Sequence, residues 1–236
     1  MSVTDGQAVL SALQGPDGLL AGAHSSLLLI ELTTIGVADS QRVAELCQAA
    51  GIDYVRSPLL GTLDSAESGH LTALISGPEK SIERARHLLS HLCAVQHELG
   101  PGEEGRVAKL VLNGMLAAGQ IALGEAIALG QKAGLPLEPL LEVILGSSSA
   151  SPVIKGTAAR IREREFQPRL TVSLLAKDLR LLNELAASEH APVPQASANL
   201  QLYEAAANMG WADLDTSAVM LALEHMMGSG TDGPKG

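Results

Sequence analysis

Lys109 and Asn113 stand four residues apart in Arg106-Val107-Ala108-Lys109-Leu110-Val111-Leu112-Asn113, a run with the apolar content of a packed helix. Positions i and i+4 share one helix face, so this spacing sets an ammonium beside a carboxamide. Leu110, Val111 and Leu112 give the pair apolar surroundings. An ammonium that loses solvation donates its proton more readily near neutral pH, and a carboxamide both donates to and accepts from a substrate oxygen. The chemistry is proton transfer at an oriented oxygen. The competing reading is a Lys on a helix surface.

The residues just before this run fit a different pattern. Gly100, Gly102 and Gly105 satisfy G-x-G-x-x-G after the apolar Leu92-Cys93-Ala94-Val95. That pattern binds dinucleotides because backbone N–H groups and a positive helix end cradle a pyrophosphate. Glu103 and Glu104 would put two carboxylates in the cradle and repel it. The sequence that follows also reads as helix, not as the strand the pattern requires. The stretch is therefore read as a loop that opens an interdomain helix. His87 and His91, four apart, have no third ligand nearby and are flanked by Arg84 and Arg86. They read as a solvated helix face, and no metal site is expected.

Composition bounds the rest. The chain has 236 residues, 46% apolar and only 2% aromatic, with a formal net charge of −10. The length admits one or two domains. The acidic balance and scarce aromatics argue against nucleic-acid or anionic-membrane binding. Cys47 and Cys93 lack metal-type spacing and read as buried thiols of a reducing compartment. No apolar run is expected to reach membrane-span length, and the first residues lack a secretory pattern. A cytoplasmic protein is the expectation.

Positioning elements come next. A short helix is predicted from Asp5 to Leu13, then a strand at Ser26–Leu32. A helix capped by Asp39 or Ser40 runs to Ala50, and a second strand covers Ile52–Val55. Ser57–Gly69 reads as an irregular loop, His70–Gly77 as a strand, and Pro78 starts a helix to about Leu92. Strand and helix alternate, which argues α/β. From 105 to 133 one long helix is predicted, followed by helices at Pro136–Leu145, Pro152–Arg164, Val172–Ser188 and Pro194–Met209. Asp213-Leu214-Asp215 reads as the cap of a final helix. The fold class is α/β plus all-α. The division is an incomplete Rossmann-like domain over 1–100, a helical domain over 101–228, and a disordered tail at 229–236. The Ala- and Leu-rich helices point to a homodimer.

Six segments, in order, carry a resemblance. They are Asp5-x-x-Ala8-Val9, Gly15-x-Asp17-Gly18-Leu19-Leu20, Glu31-Leu32-Thr33-Thr34-Ile35, Ser57-Pro58-Leu59-Leu60-Gly61-Thr62 with Ala66, Gly69 and Leu71, Lys109-x-x-x-Asn113, and Lys177-Asp178-Leu179. Across nearly the whole chain they resemble the β-hydroxyacid dehydrogenase family, whose members include 3-hydroxyisobutyrate dehydrogenase and whose C-terminal domain is of the 6-phosphogluconate dehydrogenase type. The resemblance implies hydride transfer between NAD or NADP and a short hydroxyacid or semialdehyde. Lys109 would be the general acid/base and Asn113 its substrate-orienting partner. Thr34 would lie near the nicotinamide, and Leu60, Gly61 and Thr62 would form the substrate loop. Lys177 either reaches cofactor or substrate, or pairs with Asp178 on the surface.

The chain departs from the family at several points. Arg56 stands where the family has Asp, Leu60 where it has Ser, Thr62 where it has a second Gly, and Glu103 where it has a loop Gly. Leu60 removes a hydroxyl donor, which implies a less polar substrate or one held by backbone N–H groups at Gly61 and Thr62. The family's N-terminal glycine-rich unit and ribose selector are not seen, a shortfall of roughly sixty residues by the size of two βα units. This leaves NAD binding by the chain alone open. The alternative is a truncated homologue acting as a helical dimer or binding module. An imine-reducing relative is a third reading, against which Lys109 counts.

Overall fold

Asp5 opens the first helix, α1 (Gly6–Leu13), because its carboxylate accepts from the Ala8 N–H at 2.8 Å. The computed structural model describes residues 1–228; the tail expected at 229–236 lies outside them. Contacts divide the chain into two compact units, Met1–Leu112 and the residues from Asn113 onward. The dividing line falls within a single long helix. Each unit is described by itself.

In the first unit β1 (Leu28–Glu31) leads to α2 (Val37–Ala49) and β2 (Asp53–Arg56). Then come β3 (Leu59–Leu60), α3 (Leu63–Glu67), β4 (Leu71–Ser76), α4 (Glu79–Leu89) and β5 (Cys93–Gly100). β1 and β2 are parallel, with Leu28 opposite Asp53 and Glu31 opposite Arg56. β2 meets β4 at the antiparallel pair Arg56/Ser76, β3 runs antiparallel to β4, and β5 runs parallel to it. Leu32 N–H donates to the Met1 carbonyl at 2.8 Å, so the first residues lie along the free edge of β1. Val9, Leu13, Leu29, Val43 and Tyr54 form one apolar cluster; Val55, Ala73, Ile75, Ile82 and Leu89 form another.

Three local expectations are corrected. Ser57–Gly69 is not an irregular loop: it holds β3 and α3, two elements too short to show a period. β5 was not anticipated, because only Cys93 on it is buried and it has no apolar alternation. α2 starts at Val37, earlier than a cap at Asp39 or Ser40 requires. Extended Gly36 turns the chain into it, and Asp39 sits in its first turn, where a carboxylate favours the positive helix end.

The second unit is helical, as the sequence indicates. α5 (Glu104–Lys132) enters it and ends at Gly134, whose φ of +92° suits glycine alone among common residues. α6 (Leu137–Gly146), α7 (Pro152–Glu163), α8 (Val172–Ser188), α9 (Pro194–Ala206) and α10 (Val219–Met226) follow. The expected cap of the final helix is corrected: Asp215 caps the 3-10 turn Thr216–Ala218 that leads into α10, whose own N-cap position is Ala218. Small residues on α5 let neighbours come close. A Cβ on Gly114 would stand 2.6 Å from Leu182, and one on Gly124 would stand 2.6 Å from Leu223. α5 corrects the statement that no apolar run is membrane-length. By length and composition it could cross a membrane, but half of its most apolar window is buried inside the protein.

Two outcomes follow from this packing. A Cβ on Gly105 would lie 2.4 Å from the Leu74 carbonyl oxygen, whereas one on Gly102 meets nothing nearer than 3.6 Å. Gly105→Ala is expected to lower stability by about 1–3 kcal/mol in denaturant unfolding, and Gly102→Ala by about 0.5 kcal/mol at most. Burial pushes the Cys47 thiol up from 9.0 to about 11. The neutral thiol is the form that suits the folded state, so its contribution is full below pH 9 and lost as pH rises towards 11. Melting curves of Cys47→Ala should fall less steeply over that window than those of the unaltered chain.

Candidate active site

Lys109 lies in α5, as its spacing predicts, and its Nζ donates to the Leu59 carbonyl at 2.8 Å. That carbonyl belongs to β3, so the candidate acid/base sits against the candidate substrate loop. Leu60 is half-buried and pairs with Thr72 across the strands. Gly61 takes φ +140°, a backbone closed to other residues, and a Cβ there would stand 2.6 Å from Leu71. Thr62 is exposed and caps α3, its hydroxyl accepting from Ser65 N–H at 3.4 Å. The Thr62 hydroxyl thus has a local structural use.

One turn before Lys109, Arg106 is almost fully buried. Its guanidinium donates to the Glu31 carboxylate and the Thr33 carbonyl, and at 3.0 Å to the Tyr54 hydroxyl. Burial alone would lower its pKa; Glu31 and Tyr54 outweigh that and hold it above its ordinary value. Burial raises the Tyr54 pKa, with Arg106 and Ser40 opposing. Glu31 also accepts from Thr33 N–H. The half-buried Thr34 thus follows a residue whose amide and carbonyl are both fixed. Sequence reading missed Arg106 and Glu31. The available signal was a charged residue three positions before Lys109 on the same apolar helix.

In the second unit Asp178 gathers the remaining candidates. It is buried, and its Oδ2 accepts from Asn113 Nδ2 at 2.6 Å. Lys177 Nζ lies 3.1 Å from Oδ1. The pairing of Lys177 with Asp178 is present, but the Asp lies in the protein rather than on its surface. Asp178 is an orienting residue that the Lys-Asp-Leu motif contained and the sequence reading did not assign.

The glycine-rich loop is no phosphate cradle. Glu104 fills it, accepting from Gly102 N–H at 2.7 Å, and Gly105 N–H donates to Ser76 Oγ at 3.2 Å. Among the described residues no group of three His, Cys, Asp or Glu could hold a metal ion. The carboxyl ends of β1 and β2 differ from that loop. There, among the described residues, the fully buried Ser57 Oγ has no hydrogen-bond partner and the α2 N-terminus has no side-chain cap. Open α/β sheets take nucleotide cofactors at the carboxyl ends of their strands, so these donors fit a dinucleotide edge.

Residues 1–100 match the family model described as the NAD binding domain of 6-phosphogluconate dehydrogenase. Residues 103–223 match that of NAD-binding of NADP-dependent 3-hydroxyisobutyrate dehydrogenase. The chain belongs to the β-hydroxyacid dehydrogenase family. It is similar to a probable 3-hydroxyisobutyrate dehydrogenase of Mycobacterium bovis, at 31% identity over 87% of this chain and 72% of the relative. It is 28% identical to 2-(hydroxymethyl)glutarate dehydrogenase of Eubacterium barkeri, over 95% of this chain and 75% of that one. The solved 3-hydroxyisobutyrate dehydrogenase of Mycobacterium tuberculosis, studied with L-serine, superposes with a TM-score of 0.83 at 28% identity, covering 94% of this chain and 77% of that one. This family member is an oxidoreductase of the hydroxyacid dehydrogenase type, with NAD or NADP as cofactor, a Rossmann-like sheet and a helical second unit.

Removing Asp178 takes one partner from both Asn113 and Lys177. Asp178→Ala is expected to cost about 3–5 kcal/mol of stability, as breaking a buried charge pair does, and Asp178→Asn less. Thermal melts of the two variants check this order.

Proposed function

We propose that this β-hydroxyacid dehydrogenase oxidises the hydroxyl of a short hydroxyacid, or reduces the matching semialdehyde, with Lys109 as the general acid/base. The observation that carries the reading is Lys109 Nζ held 2.8 Å from the Leu59 carbonyl, beside Leu60-Gly61-Thr62. The relatives above are named as a probable 3-hydroxyisobutyrate dehydrogenase and a 2-(hydroxymethyl)glutarate dehydrogenase, and both names denote hydroxyacid substrates.

A bound NAD or NADP would supply the hydride acceptor for oxidation, and its reduced form the hydride donor for reduction. In oxidation Lys109, as the neutral amine, takes the hydroxyl proton while the C–H electron pair leaves with the hydride. In reduction its ammonium gives that proton to the carbonyl oxygen. The Leu59 carbonyl restrains Nζ, which limits the orientations from which the proton moves. Thr34 lines the cofactor, on the segment held by Arg106. Asn113 hydrogen-bonds the substrate, and Lys177 serves cofactor or substrate, both oriented by Asp178. Leu60 gives the loop an apolar side chain where a hydroxyl would bind a carboxylate. Backbone N–H groups at Gly61 and Thr62 then hold the acid group, and the substrate carries an apolar substituent.

The chain works as a homodimer. Met115, Leu129 and Val143 of the second unit are at least 65% exposed, which supports apolar helix faces covered by a partner. Buried free thiols at Cys47 and Cys93 support a cytoplasmic setting. The buried Leu110, Ala117, Ile121 and Ile127 support α5 as a core helix rather than a span.

Calorimetric titration with NADH and NADPH, followed by turnover of 3-hydroxyisobutyrate and L-serine, tests the reading. Lys109→Ala should lower kcat by about 10²–10⁴-fold while leaving cofactor affinity unchanged. A Lys109→Ala enzyme that keeps its kcat would sink the assignment.

A further inference from the structure

Arg56 and Glu103 are two departures from the family pattern, of opposite sign, and they meet. Arg56 Nη2 lies 2.7 Å from Glu103 Oε1, with 9% and 16% of the side chains exposed. A guanidinium buried to this extent is costly without a counter-charge, and so is a lone buried carboxylate. Each therefore accounts for the other. Arg56 is held on two further sides: Nε donates to Ser40 Oγ at 3.1 Å, and Cζ lies 4.6 Å from the centre of the Tyr54 ring. Its direction is set by more than the ion pair.

Both residues stand at chain positions that matter to Lys109. Arg56 is the last residue of β2, three before Leu59, whose carbonyl takes the Lys109 ammonium. Glu103 is the residue before α5, and its carbonyl accepts from Val107 N–H at 3.0 Å, which begins the helix. Lys109 lies six residues further on. The contacts close a ring: from Arg56 along the chain to Leu59, across to Lys109, back down the first turns of α5 to Glu103, and across the ion pair to Arg56. Two links of the ring are non-covalent, and each keeps the other in register.

We propose that Arg56 and Glu103 form a positioning pair that fixes the substrate loop against the head of α5 and so holds Lys109 Nζ on the Leu59 carbonyl. Neither residue touches the reacting atoms. The consequence for turnover rests on Lys109 being the acid/base; the positioning itself does not.

Amine acetylation of the full chain, followed site by site by mass spectrometry, tests it, with the exposed Lys80 and Lys155 as internal references. In Glu103→Gln and Arg56→Met, Lys109 should react about tenfold faster relative to Lys80, as expected when a local closing interaction is lost. Glu103→Asp keeps the carboxylate and should restore most of the protection. In turnover, Glu103→Gln should lower kcat with KM unchanged. Unchanged Lys109 labelling in folded Glu103→Gln overturns the proposal, and so does a rise shared equally by Lys80 and Lys155, which reports general loosening. Should Arg56→Met fail to fold, Glu103→Gln against Glu103→Asp decides alone. If labelling responds as stated but the unaltered chain turns over no hydroxyacid, the positioning pair stands and the acid/base assignment fails.

Discussion

The first unit depends on one buried guanidinium. Arg106 joins α5 to β1 through Glu31, to the segment after β1 through the Thr33 carbonyl, and to β2 through the Tyr54 hydroxyl. Such a pair adds little net stability over apolar packing of the same volume, because both charges have been desolvated. What it adds is direction. A planar guanidinium donates along fixed lines, so three elements are constrained to one arrangement around it. Lys109 rides on the same helix one turn later, and inherits its place from that constraint.

Carboxylates do different work according to what faces them. In the sequence, Glu103 and Glu104 are two negative charges in a loop that would otherwise suit a pyrophosphate. In the fold, Glu104 caps its own loop and Glu103 answers Arg56. The same two residues that exclude an anion are therefore structural partners of N–H groups and a cation. Asp178 plays the corresponding part in the second unit, where one buried carboxylate orients an amide and an ammonium.

Much of this was legible in the residues. The helical period of 105–133, its glycine stop, the short helix that starts at Asp5 and the alternation of strand and helix are local signals, and they match the structure. β3 and α3 were not legible, because a two-residue strand and a five-residue helix have no period to read. β5 was not, because its side chains mostly face solvent. Lys109 was visible through its spacing to Asn113. The partners that hold it were not: Glu31 and Arg106 are 75 positions apart, and Arg56 and Glu103 come together only when β2 is set against the head of α5. Long-range pairing of charges leaves no periodic trace.

The glycines of α5 bear on how the second unit folds. Gly114, Gly119, Gly124 and Gly130 each meet a side chain of another helix. Each also weakens the helix by about 1 kcal/mol relative to Ala, so together they cost about 4 kcal/mol before any packing. A segment of that composition is a marginal helix alone. Its helicity must appear together with the docking of Leu182, Val153, Leu223 and Leu140. Secondary and tertiary structure then form in one step, and α5 becomes the place where the cooperativity of the unit is concentrated.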